Sequence, residues 1–167
     1  MQDRSSTECD PLRELERLQA ALAERLVYPD RPIGSLNVDL QQFDTQELDR
    51  AAETLVRKRI SQTRVVLPQS VERLGNDYRR LFREYAKGHH YDGHRAIWLD
   101  GAGFATWMLA RLSHARPIGN DADGLVDALR WEREMCLVRL SRFRLRRLRI
   151  GTNIRWVFRF GKYLRVW

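Results

Sequence analysis

The densest group of possible metal ligands in the sequence is a short run of histidines. His89, His90 and His94 flank Asp92, and imidazole and carboxylate side chains are ligands for zinc and iron. His90 and His94 are four residues apart, but Gly93 between them argues against the regular helical turn that would aim both at one ion. We therefore expect a loop that packs or contacts a partner and predict no metal site. A metal-dependent enzyme that uses the three histidines is a lesser alternative.

The nucleophilic side chains have no catalytic context in the sequence. Ser61, Ser70 and Ser113 lack the G-x-S-x-G surroundings of a nucleophile elbow, and neither cysteine has a histidine nearby. The glycine-containing segment 100–103 does not follow a strand, so it does not fit a phosphate-binding loop. The two cysteines are far apart and indicate reduced thiols in a cytoplasmic protein. We therefore predict that the chain is not an enzyme and holds no cofactor.

The positive charge of the chain is concentrated at its C-terminal end. The formal net charge is +8. Residues 141–167 contain eight arginines, one lysine and no acid, so this segment alone carries a charge of +9. Such an asymmetry predicts an acidic or anionic partner for that end, and a solvated basic face is the alternative.

Apolar residues and arginines alternate between 154 and 160, which is the period of a half-buried strand. Arg155 and Arg159 lie on one face. The opposite face carries four apolar side chains: Ile154, Trp156, Phe158 and Phe160. We expect this aromatic face to pack on the last helix, which would leave the strand edge and the arginines available to a partner.

Two classes of partner suit strands of this composition. An extended peptide can add to a strand edge through main-chain hydrogen bonds, and the arginines would select an acidic sequence. Single-stranded nucleic acid would stack its bases on Trp156 and Phe158 and place its phosphates on arginines, but burial of the aromatic face weakens that interpretation. The predicted peptide-binding residues are Arg144, Arg146, Arg155, Trp156, Arg159 and Arg165.

Helices are expected to carry the residues before this segment. Leucines three or four apart follow Asp10 and Pro11, which are typical of a helix start. A second helix begins at a capping box formed by Asp44 and Glu47 and ends before Pro68. Glu132 falls on an apolar helix face, where we expect a buried carboxylate paired with an arginine such as Arg59. A linker is predicted at 30–43, and further helices at 70–74, 76–88, 97–112 and about 121–140.

The predicted fold class is mainly α, a helical bundle with a small C-terminal antiparallel β-hairpin or three-stranded sheet. Residues 1–140 would form the helical domain and residues 141–167 the basic β appendage. The polar N-terminus does not fit a signal peptide. The most apolar window, 96–112, is too short and too polar to span a bilayer, so no membrane partner is expected.

Several short motifs follow one another along the helical part: ETLVRKRI at 53–60, VVLP at 65–68, LG at 74–75, FREY at 82–85, GH at 88–89, FATWM at 104–108 and LRWE at 129–132. Together with the leucine helix before them, their order resembles the partner (accessory) proteins of multinuclear non-haem iron-dependent oxidative enzymes in ribosomal peptide modification, a family formerly labelled as DNA-binding domains. The resemblance covers about 100 residues of the helical part. The chain departs from that family in carrying His90 and Tyr91 where a proline pair is usual, and in its very short C-terminal module.

The resemblance implies a division of labour between this chain and a second protein. The helical domain would dock on a barrel-shaped multinuclear iron oxidative enzyme, which would hold the iron, and the β appendage would bind the leader of an acidic precursor peptide. We therefore expect a non-catalytic partner subunit that presents the peptide to the enzyme. The alternative is a nucleic-acid-binding regulatory protein that uses the basic C-terminal strands. The expected partner-docking residues are Arg59, Arg64, His89, His90 and Tyr91.

Overall fold

The computed structural model describes residues 11–28, 44–114 and 120–166. The described residues form a mainly helical fold with a C-terminal three-stranded antiparallel sheet, which confirms the predicted fold class. The predicted linker at 30–43 lies outside the described residues. The elements are α1 (Pro11–Val27), α2 (Thr45–Val66), α3 (Pro68–Leu74), α4 (Asp77–Ala86), α5 (Ala96–His114), α6 (Asn120–Leu140), β1 (Phe143–Ile150), β2 (Asn153–Phe160) and β3 (Tyr163–Val166).

The chain divides into two compact units, one ending at Leu55 and the other beginning at Val56. In the first unit, the Arg25 guanidinium pairs with the Asp49 carboxylate at 2.5 Å and so links α1 to α2. Leu12, at the start of the predicted leucine stripe, is exposed. The second unit contains the later helices together with the sheet, and the candidate site lies within it.

The break between α2 and α3 is set by Pro68 and by a carboxylate from α6. Pro68 occupies the first position of α3, where its fixed φ favours a helix start and its missing N–H is not needed. The backbone N–H groups of Gln69 and Ser70 donate to the Glu132 carboxylate at 2.7 and 3.1 Å, which satisfies two of the free donors of the first turn. Helix α3 therefore starts two residues before the predicted 70–74.

The core of the second unit is an aromatic cluster between α4 and α5. Tyr78, Phe82 and Tyr85 lie on the buried face of α4, and Phe104 of α5 packs among them with ring centroids 5.4–5.7 Å apart. Edge-to-face and tilted contacts at these distances are favourable for aromatic rings. The Tyr85 ring fits against α5 because residue 103 is a glycine. A Cβ at this position would overlap the Tyr85 hydroxyl.

Two buried carboxylates, Asp100 and Glu132, hold the helices together. The Arg59 guanidinium contacts the buried Asp100 carboxylate at 2.6 and 3.0 Å, so the predicted pairing of Arg59 with Glu132 is wrong. Glu132 is buried as predicted, but its partners are the start of α3 and the Ser70 hydroxyl at 2.5 Å. The hydrogen bonds to the Glu132 carboxylate thus come from two residues of α3, Gln69 and Ser70.

The sheet is a meander in the order β1–β2–β3, which makes β1 and β3 its edge strands. Tight turns join the strands, with Gly151 and Gly161 at their first central positions and φ of +56° and +59°. Glycine at this position with positive φ is typical of type II′ hairpin turns. Strand β1 pairs with β2 without a bulge from Phe143 to Ile150.

Candidate functional site

The register of the sheet decides which side chains face α6. Directly paired residues of an antiparallel sheet lie on the same face, and Arg144 pairs with Arg159, while Arg146 pairs with Val157. Val157 is fully buried. The face that carries it is therefore the inner face, which packs on α6, and it also carries most of the arginines that the sequence assigned to peptide binding.

The inner-face arginines attach the sheet to α6. The Arg144 guanidinium donates to the Glu134 carboxylate at 2.8 Å, and the Arg159 guanidinium donates to the Val138 carbonyl oxygen at 2.7 Å. Arg155 lies over the Trp131 ring, 5.8 Å from its centroid, within the range of a cation–π contact. Three of the predicted peptide-binding arginines thus have partners inside the protein.

The expected burial of the aromatic face is wrong, because α6 offers the sheet a polar surface. Glu134 is 4% exposed, and it also contacts Arg133 at 3.2 Å. Arginine stems cover apolar surface while their heads reach such acceptors, so the arginine face is the one that packs. The outer face exposes six large apolar side chains: Phe143, Leu145, Ile154, Trp156, Phe160 and Tyr163.

The remaining two predicted peptide-binding arginines lie at different edges. Arg146, on β1, has its side chain 59% exposed and its Nε 3.9 Å from the Glu134 carboxylate. Arg165 lies on β3 and pairs with Phe158 across the strands, which puts it on the outer face. The six predicted residues are therefore divided among the inner face, the outer face and two edges, and they do not converge on one surface.

A groove of about 620 Å³ runs beside β1 and is bounded by the C-terminal end of α5 and the middle of α6. Arg147, Leu148, Arg149 and Ile150 all border it. Alternate side chains of a strand point to opposite faces, so four consecutive residues can border one groove only along the edge of their strand. The groove therefore follows the edge of β1 that β2 does not occupy.

The backbone of this edge has hydrogen-bonding groups directed at the groove. Antiparallel ladders alternate hydrogen-bonded and non-hydrogen-bonded pairs. The type II′ turn makes Ile150 and Asn153 a hydrogen-bonded pair, and the bond from the Gly161 N–H to the Arg142 carbonyl at 2.7 Å agrees with this phase. The N–H and C=O groups of Arg147 and Arg149 consequently point away from β2.

The walls of the groove combine apolar and cationic side chains. Its apolar lining comes from both helices and from the strand: Leu109, Leu112, Val126, Trp131, Leu148 and Ile150. Its charged lining consists of four arginines: Arg130, Arg133, Arg147 and Arg149. Among the described residues that line it, none is acidic. An extended chain with apolar and acidic residues is complementary to this combination.

The histidine segment has internal contacts. The His89 ring stacks on Tyr85 with centroids 4.4 Å apart, and its Nδ1 lies 2.9 Å from the Tyr85 carbonyl oxygen. His90 contacts Asp92 at 2.6 Å, while His94 is exposed. Within ranges 11–28, 44–114 and 120–166, no three histidine, cysteine, aspartate or glutamate side chains are grouped as metal ligands.

The expected docking residues are distributed over the helical part. Arg59 is engaged by Asp100 and by the His89 carbonyl oxygen at 2.8 Å, and its side chain is 14% exposed. Tyr91 is half-buried and packs on the aromatic core. Arg64 is exposed and is the member of this set whose charge is most accessible to a partner.

Sequence reasoning overlooked the groove and its arginines. Arg147 and Arg149 belong to the basic segment, yet their identity as edge residues depends on the pairing of β1 with β2. Arg130 and Arg133 come from α6, far away in the sequence. The three-residue spacing of these two arginines on one helix face is the one signal that could have indicated them.

Comparison with known proteins gives one similarity. Residues 37–110 match the protein family described as SCO6045-like, C-terminal domain. This segment includes α2, α3, α4 and most of α5, so the chain is similar to that family in its helical part, whereas α6 and the sheet lie outside the matched residues. No curated protein and no solved structure matches the chain. In the described part of the chain, none of the helices has the length and apolar character needed to cross a bilayer.

Proposed function

We propose that the chain is a non-catalytic partner subunit that binds an acidic precursor peptide along β1 and presents it to a multinuclear iron oxidative enzyme. The observation that carries the proposal is the groove beside β1, in which an open strand edge, an apolar floor and four arginines occur together. The peptide is modified by the enzyme, and this chain contributes binding and orientation. The iron belongs to the enzyme, and the location is the cytoplasm.

Strand addition accounts for each element of the groove. A peptide paired with β1 would bond to the N–H and C=O groups of Arg147 and Arg149. Its side chains would alternate between the helices and the solvent side. Apolar residues of the peptide would then meet Leu112 and Val126, and acidic residues would meet the arginines at the rim.

A synthetic peptide of alternating leucine and glutamate, labelled with fluorescein, tests the proposal by fluorescence anisotropy. The variant Arg147→Pro removes both the charge and the N–H at the strand edge, and Arg147→Gln removes the charge alone. Proline is tolerated on edge strands where its N–H is not used within the sheet. We expect the proline variant to bind at least tenfold more weakly than the glutamine variant, with circular dichroism unchanged in both. Equal affinities would reject strand addition.

Docking on the enzyme is tested separately by coexpression. A barrel-shaped iron oxidative enzyme encoded beside this chain should copurify with it, and the acidic peptide should join the complex. An adjacent gene for such an enzyme is the expected genomic setting. If the enzyme purifies without this chain while the chain still binds the peptide probe, peptide binding stands and the partnership fails.

The outer face of the sheet favours a second candidate, binding of single-stranded nucleic acid. Its exposed aromatic rings include Trp156, which is 44% exposed, and Tyr163, which is 65% exposed, and Arg165 lies on the same face. Stacking on such rings contributes about 1–3 kcal/mol per base. If this function holds, a labelled oligothymidylate should bind with a steep salt dependence, and Trp156→Ala should weaken it. Absence of binding at low salt would reject it.

A further inference from the structure

The end of the sheet at the β2–β3 turn carries an exposed aromatic side chain on each of its three strands. Phe143 of β1 pairs with Phe160 of β2, and Phe160 pairs with Tyr163 of β3. Directly paired residues share a face, so the three rings form one row, here called the aromatic row, across the outer face. Their exposed fractions are 63%, 63% and 65%. Leu145, the next outer-face residue of β1, is also exposed and enlarges this apolar surface.

Hydrogen bonds around the β2–β3 turn fix the backbone beneath the aromatic row. The Gly161 N–H donates to the Arg142 carbonyl oxygen at 2.7 Å, which ties the turn to the start of β1. The Arg159 guanidinium donates to the Gly161 carbonyl oxygen at 2.9 Å and to the Val138 carbonyl oxygen at 2.7 Å, which ties the same turn to α6. The row therefore stands on a paired and anchored part of the sheet.

The orientations of the rings favour burial in an apolar phase over stacking of bases. The Phe143 ring is nearly perpendicular to the rings of Phe158 and Phe160, with interplanar angles of 84° and 82°. The Lys162 ammonium lies 5.7 Å from the centroid of the Tyr163 ring and covers one of its faces. Bases of single-stranded nucleic acid stack on open ring faces, and perpendicular rings do not provide a continuous platform for successive bases.

Exposed basic residues adjoin the aromatic row. Arg142 directly precedes β1, Lys162 lies in the β2–β3 turn, and Arg165 is on the outer face of β3. Residues 141–167 contain no acidic residue. If two copies of the chain met through this face, these like charges would repel each other, which disfavours a dimer. An anionic surface with an apolar interior is complementary to both the rings and the charges.

We propose that the aromatic row binds the surface of an anionic phospholipid membrane, with Arg142, Lys162 and Arg165 at the headgroup phosphates. Interfacial binding combines burial of apolar side chains with attraction of basic residues to anionic lipids, and tyrosine is favoured at the boundary between lipid and water. Such binding requires no helix that spans the bilayer. The described residues that line the groove include none of the aromatic row, so the membrane contact is independent of the peptide site.

Cosedimentation of the full chain with lipid vesicles tests this surface. The chain should bind vesicles of equimolar phosphatidylcholine and phosphatidylglycerol and should not bind vesicles of phosphatidylcholine alone. Phe160→Ser combined with Tyr163→Ser should weaken binding by at least tenfold, because two rings no longer leave water. Lys162→Gln should weaken it by about fivefold. Val65→Ser is the matched control, because Val65 lies on α2 and is 76% exposed, and it should leave binding unchanged.

Each other result overturns the assignment. No binding to the anionic vesicles, or equal binding to phosphatidylcholine alone, would reject an anionic membrane. Equal binding of the double serine variant would show that the basic segment attracts the vesicles without the aromatic row.

Two further measurements identify another occupant of this face. Without vesicle binding, an affinity for labelled oligothymidylate that the double variant loses would assign the row to nucleic acid. A dimer in light scattering that the double variant converts to a monomer would assign it to a second copy. Circular dichroism verifies folding, and the single serine variants provide the affinities if the double variant unfolds.

Discussion

The Arg144 guanidinium and the Glu134 carboxylate meet at 2.8 Å between the first strand of the sheet and α6. Glu134 is nearly fully buried, and Arg144 is 19% exposed in its side chain. This pair, with Val157 beside it on the inner face, determines that the arginine side of the sheet packs on the helix and the aromatic side remains outside. Arginines of the inner face that contact α6 therefore stabilise the fold, whereas arginines outside this contact are available to a ligand.

Replacement of Glu134 by glutamine should destabilise the attachment of the sheet. Arg144 and Arg133 would lose their shared carboxylate, and the loss of a hydrogen bond to a charged group costs about 2 kcal/mol. Urea unfolding measures the change. The control is Glu84→Gln, because Glu84 pairs with Arg111 on the surface, where such a pair contributes about 0–1 kcal/mol. Equal losses in the two variants would contradict the assigned role of Glu134.

Glu132 should give the stability of the protein an unusual pH dependence. Burial raises the pKa of this carboxyl, and the hydrogen bonds from Ser70 and Gln69 oppose that increase without cancelling it. A folded-state pKa above the unfolded one means that the folded state binds the proton more tightly, so this contribution is present at low pH and is lost as pH rises through the folded pKa.

The variant Glu132→Gln isolates this effect, because glutamine has no charge to lose. The free energy of unfolding of the wild type relative to this variant should decrease as the pH is raised from about 4 towards 7. Urea unfolding at a series of pH values measures the difference. An increase over the same range would show that the hydrogen bonds from the start of α3 exceed the effect of burial.

The Cys136 thiol should be inert in the folded protein. Burial raises its pKa to about 12, and the thiolate is the reactive form. In a Cys9→Ser background, a thiol reagent at pH 8 should modify Cys136 only after denaturant is added. Rapid modification of the folded protein would mean that α6 opens around this residue. Mass spectrometry under native and denaturing conditions distinguishes the two outcomes.

The sequence predicted the helices well because their apolar residues recur every three or four positions, as in α4 with its buried tyrosines. It predicted the strand period of 154–160 correctly but assigned the wrong face to the interior. Alternation alone does not specify which face packs. The aliphatic parts of the Arg144 and Arg159 side chains can be buried when a hydrogen-bond acceptor is present for each guanidinium group. Those acceptors, the Glu134 carboxylate for Arg144 and the Val138 carbonyl oxygen for Arg159, come from α6. The groove likewise depends on the contact of β1 with two helices.

The close approach of α5 to its neighbours depends on Gly101. A Cβ at this position would lie 2.8 Å from the Cys136 sulfur and 2.9 Å from a methyl carbon of Val66. We expect Gly101→Ala to destabilise the protein by about 1–3 kcal/mol through overpacking, in spite of the better helix propensity of alanine. Gly88→Ala is the control, because no atom lies within 4 Å of its added Cβ. Urea unfolding should show a change near zero for this control.

The two edges of the sheet should respond differently to loss of an arginine. Arg149 borders the groove beside β1, whereas Arg165 lies on β3 at the opposite side of the sheet. Arg149→Gln should weaken binding of the leucine–glutamate probe about fivefold, as expected for an exposed ion pair of at most about 1 kcal/mol, while Arg165→Gln should not change it. Both variants lose one positive charge, so a uniform electrostatic attraction would weaken binding equally in the two. Anisotropy titrations at two salt concentrations distinguish these cases. A larger loss of affinity in Arg165→Gln than in Arg149→Gln would place the peptide site at β3 and not in the groove.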